Sequence, residues 1–259
     1  MSTTSNLFTG QRVVVMGGSS GIGEAAATTF AADGAEVVIT GRDRERLDAA
    51  LERIGGRTAE QSRATEPGKV AGHQVDAADP AAVAAFFAEV GTVDHLVVAV
   101  SGAAGSGPFA GLDLADLAAG FDAKFWPQVR VLQAALPHLR ADGSVTLITA
   151  ASARSAFPGT AGLAAINGAL EAMVPPLAVE LAPLRINAVS PGVIDTPWWD
   201  RVPAEQRAAL FEGLAATTPA GRVGRAEDVA QAIHLLAANT FMTGMVLDCT
   251  GGANLPTGR

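Results

Sequence analysis

The sequence predicts an α/β fold: a doubly wound parallel sheet of about seven strands, covered by helices on both faces. Three observations carry this prediction. Short continuous apolar runs, rich in Val and Ile, alternate with longer helical patterns along the chain. The runs lack the polar–apolar alternation of a half-exposed strand, so both faces of each strand must be buried. A glycine-rich turn stands directly between the first run and the first helix.

Arg12 to Met16 reads as the first strand, and Glu24 to Ala32 as the helix behind the glycines. Glu36 to Thr40 is the second strand, and Asp43 to Ile54 a charged amphipathic helix. Gly55 to Gly68 is polar, carries Gly and Pro, and reads as an exposed loop. Val70 to Val75 is a weaker third strand, followed by a helix from Pro80 to Val90, with Pro80 suited to a first turn. His95 to Val100 is the fourth strand. Ala115 to Leu139 is a long helical stretch interrupted by Pro127. Ser144 to Thr149 and Arg185 to Val189 are strands flanking a helix from Gly162 to Leu181, which carries Pro175 and Pro176. Ala226 to Ala238 is helical and Met245 to Leu247 is a last strand. No repeat or linker divides the chain, so residues 1–259 are expected to form one domain.

Hydrophobic residues make up 49% of the 259 positions and charged ones 17%, which describes a chain with a large core. The net charge of -8 argues against a phosphate-backbone partner, so no nucleic acid is expected. A single cysteine, Cys249, excludes an intrachain disulfide and a cysteine-rich zinc site. None of His73, His95, His138 and His234 has a spacing that suggests a metal. Met1 to Gly10 lacks a basic segment and an apolar one, so no signal peptide is expected. No apolar run approaches bilayer-spanning length, and the expected setting is cytoplasmic, away from membranes.

The segment Gly17-Gly18-Ser19-Ser20-Gly21-Ile22-Gly23 has the form G-x-x-x-G-x-G. Glycines between a strand and a helix let the backbone approach a pyrophosphate, which then rests on the helix N-terminus. The second strand runs into Thr40-Gly41-Arg42 rather than into an acid. An acid there would bind the ribose 2′-hydroxyl of NAD, whereas a guanidinium suits a 2′-phosphate. Arg42 therefore favours NADP(H), with NAD(H) the less favoured cofactor; a solvated surface arginine is the other reading.

The glycine spacing resembles that of the short-chain dehydrogenases/reductases, whose sheet is a Rossmann fold, and the resemblance covers nearly the whole chain. Asp76 matches the family's acidic position near the adenine. Arg185-Ile186-Asn187-Ala188-Val189-Ser190-Pro191-Gly192 matches its sixth strand and Pro-Gly turn. That turn, with Val193 and the following Thr196, implies contacts at the nicotinamide. The usual Asn-Asn-Ala-Gly after the fourth strand is replaced by Ala99-Val100-Ser101-Gly102. The resemblance also implies a small-molecule substrate and a homo-oligomer, dimer or tetramer, joined through the two long helices. Their prolines leave the interface open to difference.

Family catalysis uses Asn, Ser, Tyr and Lys. This chain has no tyrosine, and only two lysines, Lys69 and Lys124. Counting back from the sixth strand puts Leu163 at the tyrosine and Asn167 at the lysine. The serine falls at Ala150, with Ser152 two residues away, and the asparagine at Lys124. Lys and Asn have thus exchanged places. Either Lys124 enters the pocket and supplies positive charge there, with Asn167 holding ribose hydroxyls, or Lys124 is a surface residue. Trp198 and Trp199 either wall the substrate pocket or staple a loop. The leading expectation is an NADP(H)-dependent oxidoreductase with non-standard proton chemistry, acting on a small carbonyl, quinone or enone. Conjugated acceptors are preferred because they need a dedicated acid least. The alternative is an NADP(H)-binding pseudoenzyme, a sensor or interaction partner.

Overall fold

The computed structural model describes residues 6–61 and 68–255. The strands are β1 (Arg12–Met16), β2 (Glu36–Gly41), β3 (Val70–Gln74), β4 (Val93–Val98), β5 (Leu139–Ile148), β6 (Arg185–Pro191), the short pair β7 (Ile194–Asp195) and β8 (Gly224–Arg225), and β9 (Val246–Cys249). The helices are α1 (Gly21–Ala32), α2 (Arg44–Gln61), α3 (Pro80–Val90), α4 (Leu114–Gly120), α5 (Trp126–Ala135), α6 (Ala161–Glu180), α7 (Ala204–Thr217) and α8 (Ala226–Ala238).

The seven-stranded sheet has the order β3-β2-β1-β4-β5-β6-β9, and every pairing is parallel. Side chains of a strand alternate between faces. Val13 and Val15 of β1 accordingly enter one core, with Phe30 of α1, Leu47 of α2 and Ile233 of α8. Val14 and Met16 enter the other, with Phe87 of α3, Leu132 of α5 and Val174 of α6. Two cores on opposite faces explain the unbroken apolar run of β1, since no residue of Val13–Met16 reaches solvent. Full burial of each such side chain stabilises the fold by about 1.5–3 kcal/mol. The chain winds outward from β1 to β3 and returns to β4 beside β1. That reversal opens a crevice at the carboxyl ends of β1 and β4, where sheets of this kind take their ligands.

Several sequence expectations change. Gly55–Gln61 continue α2 instead of forming a loop, because Ile54 and Thr58 are both buried on one helical face. The rest of that expected loop, residues 62–67, lies outside the described residues, as do residues 1–5 of the start read for a signal. The stretch from Ala115 to Leu139 is not one helix: α4 passes into a π-turn, Phe121–Phe125, and then α5. In that turn Trp126 N donates to Phe121 O, and Pro127 follows without a donor of its own. Leu139 opens β5 rather than closing a helix, and β4 lies two residues earlier than expected. By contrast α6 runs unbroken through Pro175 and Pro176. The expectation of no span-length apolar segment also fails, because α6 has 20 residues and holds an 18-residue stretch of mean hydropathy 1.3. Its inward face buries Ile166, Leu170 and Val174, together with Asn167 and Glu171, and Val174 joins the core beneath the sheet.

Candidate active site

The glycine turn is built to a tolerance of single atoms. Gly17 and Gly21 take φ of 86° and 55°, a region where side chains are strained. A Cβ on Gly23 would overlap the Gly17 carbonyl oxygen, so the turn closes onto α1 only with glycine there. Gly18 N donates to Thr40 O at 2.9 Å and Gly17 N to Thr40 Oγ1 at 3.3 Å, tying the loop to the end of β2. Ser20, exposed and extended, makes no side-chain cap on α1. The first N–H groups of that helix therefore face outward without a capping acceptor, the arrangement that takes an anion.

Other expected contacts gather on the same edge. Thr196 lies against the loop: a Cβ on Gly21 would sit 3.2 Å from its side chain. Gly192 N donates to Cys249 O at 3.0 Å, which holds the Pro191-Gly192-Val193 turn to β9. Arg42 is exposed beyond β2, its carbonyl accepting from Gln74 Nε2 at 3.0 Å, and its guanidinium has no partner among the described residues. Asp76 is exposed past β3 and accepts from Ala78 N at 3.0 Å, shaping the entry to α3.

The catalytic candidates stand over the ends of β5 and β6. Lys124, in the π-turn, is 8% exposed, so the surface reading fails. Its Nζ donates to Thr149 O at 3.0 Å. Burial lowers its pKa from the ordinary 10.5 to about 8, an effect that Glu171 opposes. Glu171 Oε1 accepts from Thr149 Oγ1 at 2.9 Å, and its Oε2 accepts from Arg154 Nε at 2.9 Å. Arg154 in turn grips Asp248 of β9.

Ala150 follows Thr149 in extended conformation, and Ser152 occupies the short turn Ala151–Ala153. Asn167 Nδ2 donates to Ser152 Oγ at 3.2 Å and to Leu163 O at 2.9 Å. Its Oδ1 is buried with no donor among the described residues. Ser152, Leu163 and Asn167 are thus one contact group. Lys124 reaches the group through the Thr149-Ala150 backbone, without a hydrogen bond to Ser152 or Asn167.

The two tryptophans bond to different segments. Trp199 Nε1 donates to Ile194 O at 3.0 Å, and its ring meets Phe211 edge-on at 5.6 Å, which staples the loop. Trp198 Nε1 donates to Gly102 O at 3.1 Å and so crosses to the segment after β4. Its indole thus ties the turn Pro197–Trp199 to the carboxyl end of β4.

A family model described as Enoyl-(Acyl carrier protein) reductase matches residues 16–254. The short-chain dehydrogenase/reductase ATR9 of Stachybotrys chlorohalonatus is 30% identical, over 95% of this chain and 98% of its own. The chain belongs to the short-chain dehydrogenase/reductase family. As a member it is an NAD(P)-dependent oxidoreductase with a Rossmann-like sheet. Among relatives of this dehydrogenase/reductase, a probable 2,4-dienoyl-CoA reductase 3 of Caenorhabditis elegans is 33% identical over 94% of this chain and 80% of its own. The solved structure of a small-chain dehydrogenase in complex with NADPH is 30% identical with a TM-score of 0.78, covering 95% of this chain and 99% of that one.

Sequence reasoning missed three residues of this dehydrogenase/reductase site. Glu24 stands in the first turn of α1, where an acid would repel a phosphate, yet it is buried. Arg53 neutralises it with bonds of 2.9 and 2.8 Å, and also approaches Ser19 O at 3.5 Å. The third is Gln128, 1% exposed, whose Nε2 donates to Val100 O and Ile148 O, each at 3.0 Å. It pins the ends of β4 and β5 together beneath the crevice. An acid in the first turn of a phosphate-facing helix was a legible signal; Gln128, four residues after Lys124, was a weaker one.

Proposed function

We propose that this chain is an NADPH-dependent reductase of small conjugated acceptors, quinones or enones, which works without a phenolic proton donor. The cofactor is NADP(H). Gly17, Ser19, Ser20, Gly21, Ile22 and Gly23 would cradle its pyrophosphate, and Arg42 its 2′-phosphate. Pro191, Gly192, Val193 and Thr196 would line its nicotinamide end, and Asp76 its adenine. The orphaned Asn167 Oδ1 is the acceptor a ribose hydroxyl would satisfy.

The observation that carries the reading is Lys124: a buried ammonium at the carboxyl edge of the sheet, its pKa pressed to about 8. Bound NADPH supplies a hydride. Delivery to a conjugated acceptor leaves a phenolate or enolate, whose charge is delocalised. A phenol has a pKa of about 10, so an ammonium near 8 both stabilises that oxyanion and protonates it downhill. Leu163, at the place where the resemblance puts tyrosine, offers no proton and shields the acceptor from water. Ser152, held by Asn167, directs a hydroxyl at the same wall. The 2,4-dienoyl-CoA reductase name of the worm relative fits a conjugated acceptor.

NADPH oxidation across a matched panel tests this. Quinones and enones are expected to exceed aliphatic ketones by about a hundredfold in kcat/KM, because hydride delivery to a ketone localises the developing charge on one alkoxide oxygen instead of spreading it over a conjugated system. Equal or better turnover of ketones contradicts the proposal. Tight NADPH binding with no turnover of any acceptor favours the pseudoenzyme instead.

Arg42→Ala is expected to weaken NADPH by about ten- to a hundredfold, the worth of a charge-assisted phosphate contact, and to leave NADH within about threefold. Calorimetric titration with both cofactors checks it; equal losses would remove Arg42 from the 2′-phosphate. A homo-oligomer is also part of the proposal, on the resemblance to the family alone.

A further inference from the structure

The segment Pro197–Arg201, a lid in the proposed reading, carries a charge that the proposed reaction does not use. Arg201 follows the Trp198-Trp199 turn, and its Cζ stands 3.4 Å from the centroid of the Trp198 ring. At that distance the guanidinium rests over the face of the indole, held by cation–π attraction. Trp198 is itself fixed across the crevice by its bond to Gly102 O. Arg201 therefore does not sweep freely through solvent; it is mounted on that indole. It has no ion pair or hydrogen bond among the described residues. The adjacent acid, Asp200, is bound by Arg207 at 2.6 Å instead. Although the residue is exposed, partial burial against the lid lowers its pKa, and no acid counters that effect. The guanidinium is held in place with no acid beside it, and its open edge can take an anion.

We propose that Arg201, stacked on Trp198, binds an anionic group, a carboxylate or phosphate, which the substrate carries away from its reducible bond. This deepens the reductase reading and rests on a substrate that reaches from the Lys124 side of the crevice out to Trp198. The chemistry divides into two ends. The acceptor oxygen lies toward Lys124 and the Thr149–Ser152 wall, and the anionic tail lies outward on the lid. Planar guanidinium geometry suits a two-oxygen contact, and the exposed edge of Arg201 leaves room for it. A neutral acceptor of the same shape would lack this anchor.

Binding of matched acceptors to the protein saturated with NADP+ tests the proposal without needing turnover. The probes are a naphthoquinone with a carboxylate side chain, its phosphate-monoester analogue and its methyl ester. The wild type is expected to bind one or both anions about ten- to a hundredfold tighter than the ester. Arg201→Gln is expected to erase that difference while leaving ester binding and NADPH affinity within about twofold; a melting curve matching the wild type shows that the variant is folded. Preference for the carboxylate alone, or for the phosphate alone, identifies the natural anion. Equal binding of all three probes by the wild type overturns the proposal. So does an Arg201→Gln variant that loses ester and anions alike, which would mark a packing role. A variant that loses NADPH affinity alone would move Arg201 to the cofactor and also overturn it. Charge-dependent binding without NADPH oxidation would sink the reductase reading and leave the anion site standing.

Discussion

Lys124→Met will yield a more stable protein that is nearly inactive. Burial lowers the Lys124 pKa from 10.5 to about 8, which corresponds to about 3 kcal/mol of cost for holding the charge at neutral pH. Methionine keeps the length of the side chain and removes the charge. It forfeits the bond to Thr149 O, worth about 1 kcal/mol. The net gain is about 2 kcal/mol, or a rise in Tm of about 4–8 °C for a chain of this size. The sign with pH follows from linkage. Between about 8 and 10.5 the unfolded chain holds the Lys124 proton and the folded one does not, so wild-type stability rises with pH across that window. Below about 8 the full cost is present. The variant lacks this slope. Its kcat is expected to fall by about 10²–10⁴, the contribution of a positioned acid. A melting curve and an NADPH assay on the same preparation decide. Loss of both stability and activity would make Lys124 structural, and a stabler protein of unchanged kcat would remove it from the chemistry.

Gly23→Ala will abolish cofactor binding. The added methyl meets the Gly17 carbonyl, a backbone atom that cannot rotate away. Relief requires the turn to open, which separates the pyrophosphate cradle from the N-terminus of α1. The local cost is about 3 kcal/mol or more, in the range of overpacked cores. NADPH affinity is expected to drop by more than about a hundredfold, with a lowered Tm. Fluorescence titration measures it. Affinity within about threefold of the wild type would mean that the turn adapts, and that the glycine spacing is not what shapes the site.

Much of the fold was legible because its signals are local. The run Val13–Met16 and the glycines after it fixed a strand, a turn and a helix, and the two cores confirm why that run had no polar face. Elements governed by longer-range packing were harder to read. α7 gave no periodic signal because none of its residues is buried. The helical extension past Gly55 depends on Thr58 meeting a neighbour that composition does not reveal. The π-turn at Phe121–Phe125 is a change of hydrogen-bond register, invisible in residue types except through Pro127.

The site divides in the same way. The spacing of Leu163 and Asn167 on one helix turn anticipated their contact. The burial of Lys124 could not be read from sequence, since a lysine in a mixed helix is more often exposed. The partners that make its burial tolerable, Thr149 O and Glu171, come from a strand end and another helix. Arg53 met Glu24 across 29 positions of sequence, a distance that no local pattern encodes.

The most direct test of the account is the pH dependence of kcat for the best conjugated acceptor, in the wild type and in Lys124→Met. If the Lys124 ammonium serves the acceptor oxygen, the wild-type rate holds below neutrality and falls through about pH 8, and the variant's residual rate shows no such fall. Matching profiles in the two proteins would contradict the account.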